Sequence, residues 1–264
     1  MLHLSIITIN YNNLLGLKKT VNSVISQTYS DFEFIVIDGG STDGSREFIE
    51  DFSKKFSYSV SENDNGIYHA MNKGIAKASG KYLLFLNSGD FLIRTTVLKE
   101  IFQFEHNEDI LYCNVRNSIT NDEIIFPAVL TFSYFYYATI NHQSTFIKSN
   151  LFQKLGFYNE NYKIVSDWEF FLKAIFLNHC STKYVNIACT VFDYSQGIST
   201  DIINSQLLQF ERSTVLNTYF SKFLIDYKNS EIINDLYKTR LNESIRFNPL
   251  IVKYIRKLKN KFFD

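Results

Sequence analysis

Apolar and polar positions in the N-terminal third of the chain switch repeatedly between a strand-like and a helical rhythm. Leu4 to Ile9 is a short β-branched apolar run, and Leu14, Leu17, Val21, Val24 and Ile25 then recur at helical spacing from Leu14 to Ser26. Phe32 to Ile37 is a second strand-like run. It ends in the turn-rich Asp38-Gly39-Gly40-Ser41-Thr42-Asp43-Gly44, after which Phe48, Ile49 and Phe52 mark another helix. Tyr58 to Val60 predicts a short third strand, Ile67 to Ala78 a helix stopped at Gly80, and Tyr82 to Leu86 a fourth strand. Strands alternating with helices in this way predict a parallel sheet covered on both faces.

Further on the pattern loosens. Strands are expected near Ile110 to Val115 and Thr182 to Phe192, a helix from Asp167 to Phe176, and helix throughout from Asn204. A boundary near Thr200 divides an α/β domain, residues 1–200, from a helical extension, residues 201–264, and the α/β domain divides again into residues 1–90 and 91–200. The final stretch, Leu250 to Asp264, sets Lys253, Arg256, Lys257, Lys259 and Lys261 against an apolar face of Ile251, Tyr254, Ile255, Leu258 and Phe262. Such a helix suits an anionic membrane surface, and it equally suits packing on its own domain with a solvated basic face.

Composition narrows the class. The 264 residues carry 27 Lys and Arg against 27 Asp and Glu, and 45% are apolar. That is ample apolar surface for an ordered core, and a net charge of zero argues against a nucleic-acid partner held by bulk phosphate attraction. Cys113, Cys180 and Cys189 are odd in number and widely spaced, which excludes a close-paired structural zinc site and fits a reducing, cytoplasmic setting. The N-terminus has no basic leader, and every apolar stretch is too interrupted for a membrane span of about 18 residues.

In open parallel sheets ligands sit beyond the carboxyl ends of the strands, so the loops after Ile9, Ile37 and Leu86 should converge. They carry polar residues. Tyr11 suits stacking on a planar ring and Asp38 suits accepting an imide or hydroxyl proton, although read singly Tyr11 is also a packing residue and Asp38 a turn residue. Asp90, in Leu86-Asn87-Ser88-Gly89-Asp90, is delivered to a strand end where a divalent cation could bridge it to a diphosphate. Ser166-Asp167-Trp168-Glu169 opens a helix, with Ser166 or Asp167 as N-cap or Asp167 as a general base. Asp167 and Glu169 are two apart and cannot both face one substrate. No dinucleotide-binding glycine motif and no phosphate loop with Gly-Lys-Ser/Thr is present, which counts against hydride transfer and NTPase chemistry.

Taken together, Ile6-Ile7-Thr8-Ile9-Asn10-Tyr11-Asn12, Ser23-Val24-Ile25-Ser26-Gln27-Thr28, the Asp38 to Gly44 turn, Gly66-Ile67-Tyr68-His69-Ala70-Met71-Asn72-Lys73-Gly74 and Leu86-Asn87-Ser88-Gly89-Asp90 resemble family 2 of the inverting nucleotide-sugar glycosyltransferases. The resemblance covers about the first two hundred residues. With the His142-Gln143 pair, it extends to transferases that build bacterial O-antigen and capsule repeat units. It implies the GT-A fold, an α/β architecture with a mostly parallel central sheet and helices on both faces, here followed by the helical extension.

The resemblance also implies roles. Ile9, Tyr11 and Asp38 would hold the uracil end of a UDP-sugar, Asp38 by accepting the base N–H, and Asp64, Asn72 and Ser88 would line the nucleotide side. Asp90 would bind Mn2+ or Mg2+ on the diphosphate, Asp167 would be the catalytic base, and His142 and Gln143 would lie near the acceptor or the diphosphate. Two positions depart from the family pattern: Gly89 stands where a carboxylate is usual, and Ser166 where a glutamate usually precedes the base. The implied reaction moves a hexose or N-acetylhexosamine to a glycan hydroxyl, on a polyprenyl diphosphate, at the inner face of the cytoplasmic membrane. Gly89 motivates the alternative of a catalytically weak sugar-nucleotide-binding subunit of an assembly complex. A nucleotidyltransferase would need a glycine-rich basic loop after the first strand, and Asn10 to Leu15 has none.

Overall fold

The computed structural model describes residues 2–194 and 202–247, and the chain divides into two compact units, the second beginning at Thr214. In chain order the first unit runs β1 (Leu4–Asn10), α1 (Leu14–Ile25), β2 (Phe32–Asp38), α2 (Ser45–Asp51), β3 (Tyr58–Ser61), α3 (Ile67–Lys77) and β4 (Tyr82–Phe85). It continues with β5 (Phe91–Leu92), α4 (Val97–Phe102), β6 (Ile110–Asn117), β7 (Glu123–Ile124), α5 (Phe132–Tyr137), β8 (Thr145–Lys148) and α6 (Ser149–Leu155). Then come α7 (Ser166–Leu172), passing directly into a π-helical turn at Lys173–Leu177, and β9 (Thr182–Phe192). Two helices follow, α8 (Ser205–Tyr219), which crosses the unit boundary, and α9 (Ser221–Phe247). The expected boundary near Thr200 and the basic stretch from Leu250 to Asp264 lie outside the described residues. No described helix is long and apolar enough to cross a membrane.

The strand order is β3-β2-β1-β4-β8-β6-β9-β5, with β7 paired to β6. The first four strands are parallel, as their alternation with helices predicts. Every residue of β1 and β4 is buried, so both faces of the sheet are covered. On one face α1 contributes the helical stripe Leu17, Thr20, Val21 and Val24 to a core shared with Leu4, Ile6, Phe34, Val36 and Leu84. Asn13 starts that helix by accepting the Gly16 N–H at 3.0 Å.

The second half of the sheet is mixed. β8 is antiparallel to both β4 and β6, and β6 pairs parallel with β9. Sequence periodicity does not reveal β8, because four residues are too short to show alternation. One local expectation is corrected: Gly80 does not stop α3, which ends at Lys77 with Ala78 as its cap. Gly80 is needed for closeness instead, since a Cβ there would lie 2.6 Å from the carbonyl carbon of Leu4 and from the amide nitrogen of Ser5.

Two features of this topology position a site. β1 runs level with β2, Asn10 opposite Asp38, and the chain leaves β1 toward β2 on one side while β4 lies on the other. That reversal of strand order opens a crevice at the carboxyl ends. β5 then lies antiparallel to the end of β9, with Phe91 opposite Val191 and Leu92 opposite Thr190, and this brings the chain after β9 back to the same crevice.

Candidate active site

The crevice is a cavity of about 990 Å³, at the upper end of the range of ligand pockets. Its walls come from the ends of β1, β2, β4 and β9, the start of α3 and the 160–163 loop. Of the residues expected from sequence, Ile9, Tyr11, Asp64, Ser88 and Asp90 line it. Tyr11 is 66% exposed, its ring standing at the mouth.

Asp38 sits differently from the expectation. Its carboxylate is fully buried and receives four donors: Asn10 Nδ2 at 2.7 Å and Ser41 Oγ at 2.6 Å on one oxygen, the Ser41 N–H at 2.9 Å and Ser61 Oγ at 2.6 Å on the other. Burial pushes this carboxyl up, but the bonds from Ser41, Ser61 and Asn10 outweigh it and hold the group below its ordinary value. All its lone-pair positions are used, and it does not line the cavity. Asp38 therefore knots the ends of β1, β2 and β3 together. The carboxylate that reaches the cavity is Asp64, whose Oδ2 lies 2.6 Å from where a Cβ on Gly39 would stand. A side chain at position 39 would displace it. Asp64 also accepts the Gly66 N–H at 2.8 Å, which fixes the turn into α3.

Asn72 is likewise structural. It donates to the Tyr158 carbonyl at 2.9 Å and to Glu160 Oε1 at 2.8 Å, and it accepts the Tyr158 N–H at 3.0 Å, tying α3 to the 158–160 segment behind the cavity wall.

Asp90 is on the wall yet only 4% exposed. Burial pushes its carboxyl up to about 7, against the opposing N–H of Asp193 at 2.9 Å and the charge of His142. Ser88 is held by its own backbone, its N–H on the Ile9 carbonyl at 3.0 Å and its carbonyl accepting Asn13 Nδ2 at 3.1 Å.

Asp167 lies in the first turn of α7, and neither it nor Ser166 caps the helix: Val165 occupies that position without a side-chain bond. Asp167 stands one side chain behind the cavity wall. Its Oδ1 accepts the Tyr68 hydroxyl at 2.9 Å and its Oδ2 faces His142 Nδ1, also at 2.9 Å. Tyr68 lines the cavity, and Asn87, which also lines it, lies 3.2 Å from His142 Nε2. Burial pushes the Asp167 carboxyl up, but the His142 hydrogen bond and charge, with Tyr68, bring it below its ordinary value. Burial lowers His142, and its bond to Asp167 together with the charges of Asp167 and Asp90 raises it overall. With His142 protonated the two form an ion pair, a form that the charges of Asp167 and Asp90 both favour. Gln143 is 1% exposed, does not line the cavity, and has a buried Nε2 without a partner. Glu169 turns away to Lys173, as its spacing from Asp167 requires.

Several wall residues had no signal in the sequence. Among the described residues Lys163 is the one lysine or arginine lining the cavity, and the carboxylate of Glu211 on α8 fixes its loop by accepting the N–H groups of Lys163 and Ile164 at 2.8 and 3.0 Å. Asp193, just after β9, is another. Both depend on contacts between segments far apart in the chain. Tyr68 was visible within its motif, but its link to Asp167, 99 residues on, was not.

This geometry can be set beside known proteins. Residues 5–166 match the sequence profile described as Glycosyl transferase family 2. The "Uncharacterized glycosyltransferase Rv1514c" of Mycobacterium tuberculosis is 34% identical over 197 residues, 72% of this chain and 74% of that protein. The "PGL/p-HBAD biosynthesis glycosyltransferase Rv2957" of the same species is 29% identical over 220 residues, 78% of this chain and 82% of its own length. Among solved structures, S. aureus TarS 1-349 in complex with UDP superposes with a TM-score of 0.62 at 22% identity, over 72% of this chain and 60% of that one. The mannosyltransferase PcManGT of Pyrobaculum calidifontis, in complex with GDP-Man and Mn2+, gives 0.58 at 16% identity, over 74% and 57%. The chain thus spans little more than half of those solved chains, and the likeness to them is one of fold, the GT-A fold. With a matching profile over most of the first unit and a strand-end cavity lined by the same motifs, the chain belongs to glycosyl transferase family 2.

Proposed function

We propose that this glycosyltransferase is an inverting enzyme that moves a sugar from a UDP-sugar to a hydroxyl of a glycan acceptor. The observation that carries the reading is the line of groups at one end of the cavity: Asp90 on the wall, His142 beside it, and Asp167 behind, joined to the wall through Tyr68. A nucleotide diphosphate bound over Asp90 would leave its sugar toward the part of the wall formed by Tyr68, behind which Asp167 stands. The choice of uridine rests on Tyr11 and Asp64 at the base end, and on TarS, which shares the fold and has been solved with UDP and UDP-GlcNAc.

The chemistry follows from the side chains. The acceptor hydroxyl gives its proton to Asp167 as its oxygen forms a bond to the anomeric carbon, and the bond from that carbon to the diphosphate breaks, releasing UDP. An α-linked donor gives a β-linked product. Tyr68 and His142 hold the two oxygens of Asp167 and keep it ionised and oriented. Proton acceptance by Asp167 brings the excess charge of the pair to His142, which is already biased toward its cationic form.

A divalent cation, Mn2+ or Mg2+, fits the wall at Asp90. The donors there are carboxylate oxygens, which a hard divalent cation prefers. Among the described residues no three or more His, Cys, Asp or Glu side chains converge to hold an ion by themselves, which suits a cation completed by substrate phosphates. When bound, it neutralises charge on the departing diphosphate.

The basic apolar composition of residues 250–264 supports a lipid-linked acceptor such as a polyprenyl diphosphate glycan. Assembly of a bacterial surface polysaccharide, O-antigen or capsule, at the cytoplasmic membrane face accommodates that chemistry. The reading is tested by a panel of UDP-sugars assayed for UDP release with and without manganese. One donor should release UDP well above the others and only with the ion. No release from any nucleotide sugar, with tight UDP binding retained, would instead favour the binding-subunit alternative.

A further inference from the structure

We propose that Asp193 supplies the second carboxylate toward the cation at Asp90, standing in space where Gly89 lacks one in sequence. The inference rests on the cation reading given above and concerns which residues of this chain serve it.

The argument starts from strand register. Phe91 pairs with Val191 and Leu92 with Thr190 in antiparallel β5 and β9, so carrying the register on sets Asp90 opposite Phe192 one step further and Gly89 opposite Asp193 two steps further. The parallel pairing of β6 with β9 is irregular around Asn114, where Cys113 faces Val185 but Asn114 faces Ala188 and Val115 faces Thr190. The extra β9 residues shift its C-terminal end relative to β6, and Asp193 arrives at the cavity.

Side-chain geometry agrees with the register. A Cβ built on Gly89 would lie 2.8 Å from Asp193 Oδ2, so the Asp193 carboxylate fills the volume a side chain at 89 would enter. Gly89 has φ +107°, a conformation that a side chain adopts only with strain, so this backbone cannot readily carry its own acid at that point. The Asp193 N–H binds Asp90 Oδ1 at 2.9 Å, which fixes the two residues side by side, and both line the same cavity. Two carboxylates close together at a wall, opposite the place of a diphosphate, are the donor set that a hard divalent cation takes.

The backbone bond and the carboxylate of Asp193 can be separated by mutation. D193N and D193A both keep the N–H that holds Asp90, so a residue acting only through its main chain would tolerate them. Manganese binding in the presence of UDP, read by electron paramagnetic resonance of free Mn2+, should weaken at least about tenfold in both variants. D193E, which keeps the charge, should recover most of the affinity, and UDP binding without metal should stay within about twofold of wild type in all three. Wild-type manganese affinity in D193N and D193A, with folded protein shown by circular dichroism, overturns the role of Asp193 alone. Failure of the wild-type protein to bind manganese with UDP overturns the cation reading together with it.

Discussion

Asp38 and Asp64 show how two carboxylates near one glycine take different duties. Asp38 is enclosed by donors from three strand ends, whereas Asp64 lies over Gly39 at the cavity wall. Replacing Asp38 by Ala strands the buried donors of Asn10, Ser41 and Ser61, at a cost of at least about 1–3 kcal/mol, and should lower Tm by several degrees. Asp64→Ala should leave Tm nearly unchanged and weaken UDP binding about ten- to a hundredfold, the loss of one hydrogen bond to a charged acceptor. Thermal melts and calorimetry on the two variants giving the reverse pattern would return the base contact to Asp38. The His142–Asp167 pair makes a prediction in pH. His142 is raised from 6.5, so its contribution to stability is complete below 6.5 and is lost as pH rises through its folded value. Asp167 is lowered from 3.8, so its contribution is complete above 3.8 and is lost as pH falls through its folded value. The Tm gap between wild type and H142Q should be widest between 3.8 and 6.5 and shrink toward pH 9. A gap independent of pH would mean that His142 is not ion-paired.

Among the elements, the close seating of α3 and β4 against β1 sets the level of the strand ends. Gly80 makes this approach possible, its N–H bonding Ser5 Oγ at 2.9 Å while its missing Cβ leaves room for the β1 backbone. Because the obstruction is the β1 main chain at Leu4 and Ser5, Gly80→Ala should cost about 1–3 kcal/mol, with no relief from a side-chain rotation. Chemical denaturation showing wild-type stability would indicate that the strands part more easily than the packing implies. The same elements show what can be read from a sequence. β1, α1, β2, α3 and β9 were legible because each is long enough for its apolar period to repeat, and four-residue β4 because it is a continuous apolar run ending in turn residues. Four-residue β8, with only Phe146 and Ile147 apolar, and two-residue β5 were not, since their pairing is decided by partners distant in the chain. The enclosure of Asp38 was not legible, because its hydrogen bonds from Ser61 and Asn10 arise only once three strands are aligned.

On the scale of the whole first unit, chemistry comes from joining two halves of unlike topology. The parallel half supplies Tyr11, Asp64 and Asp90, proposed above as the nucleotide side, and the mixed half supplies His142, Asp167 and Asp193. The sequence motifs mark the first half densely and the second sparsely, so the cavity residues of the first half were easier to foresee. The most direct test of the account is Asp167→Asn, assayed for donor affinity and for turnover with the donor identified from the panel. The asparagine cannot take the acceptor's proton but keeps the shape of the site, so UDP-sugar affinity should stay near wild type while kcat falls about 10²–10⁴-fold. Near-wild-type kcat in that variant would remove Asp167 from the reaction and contradict the account.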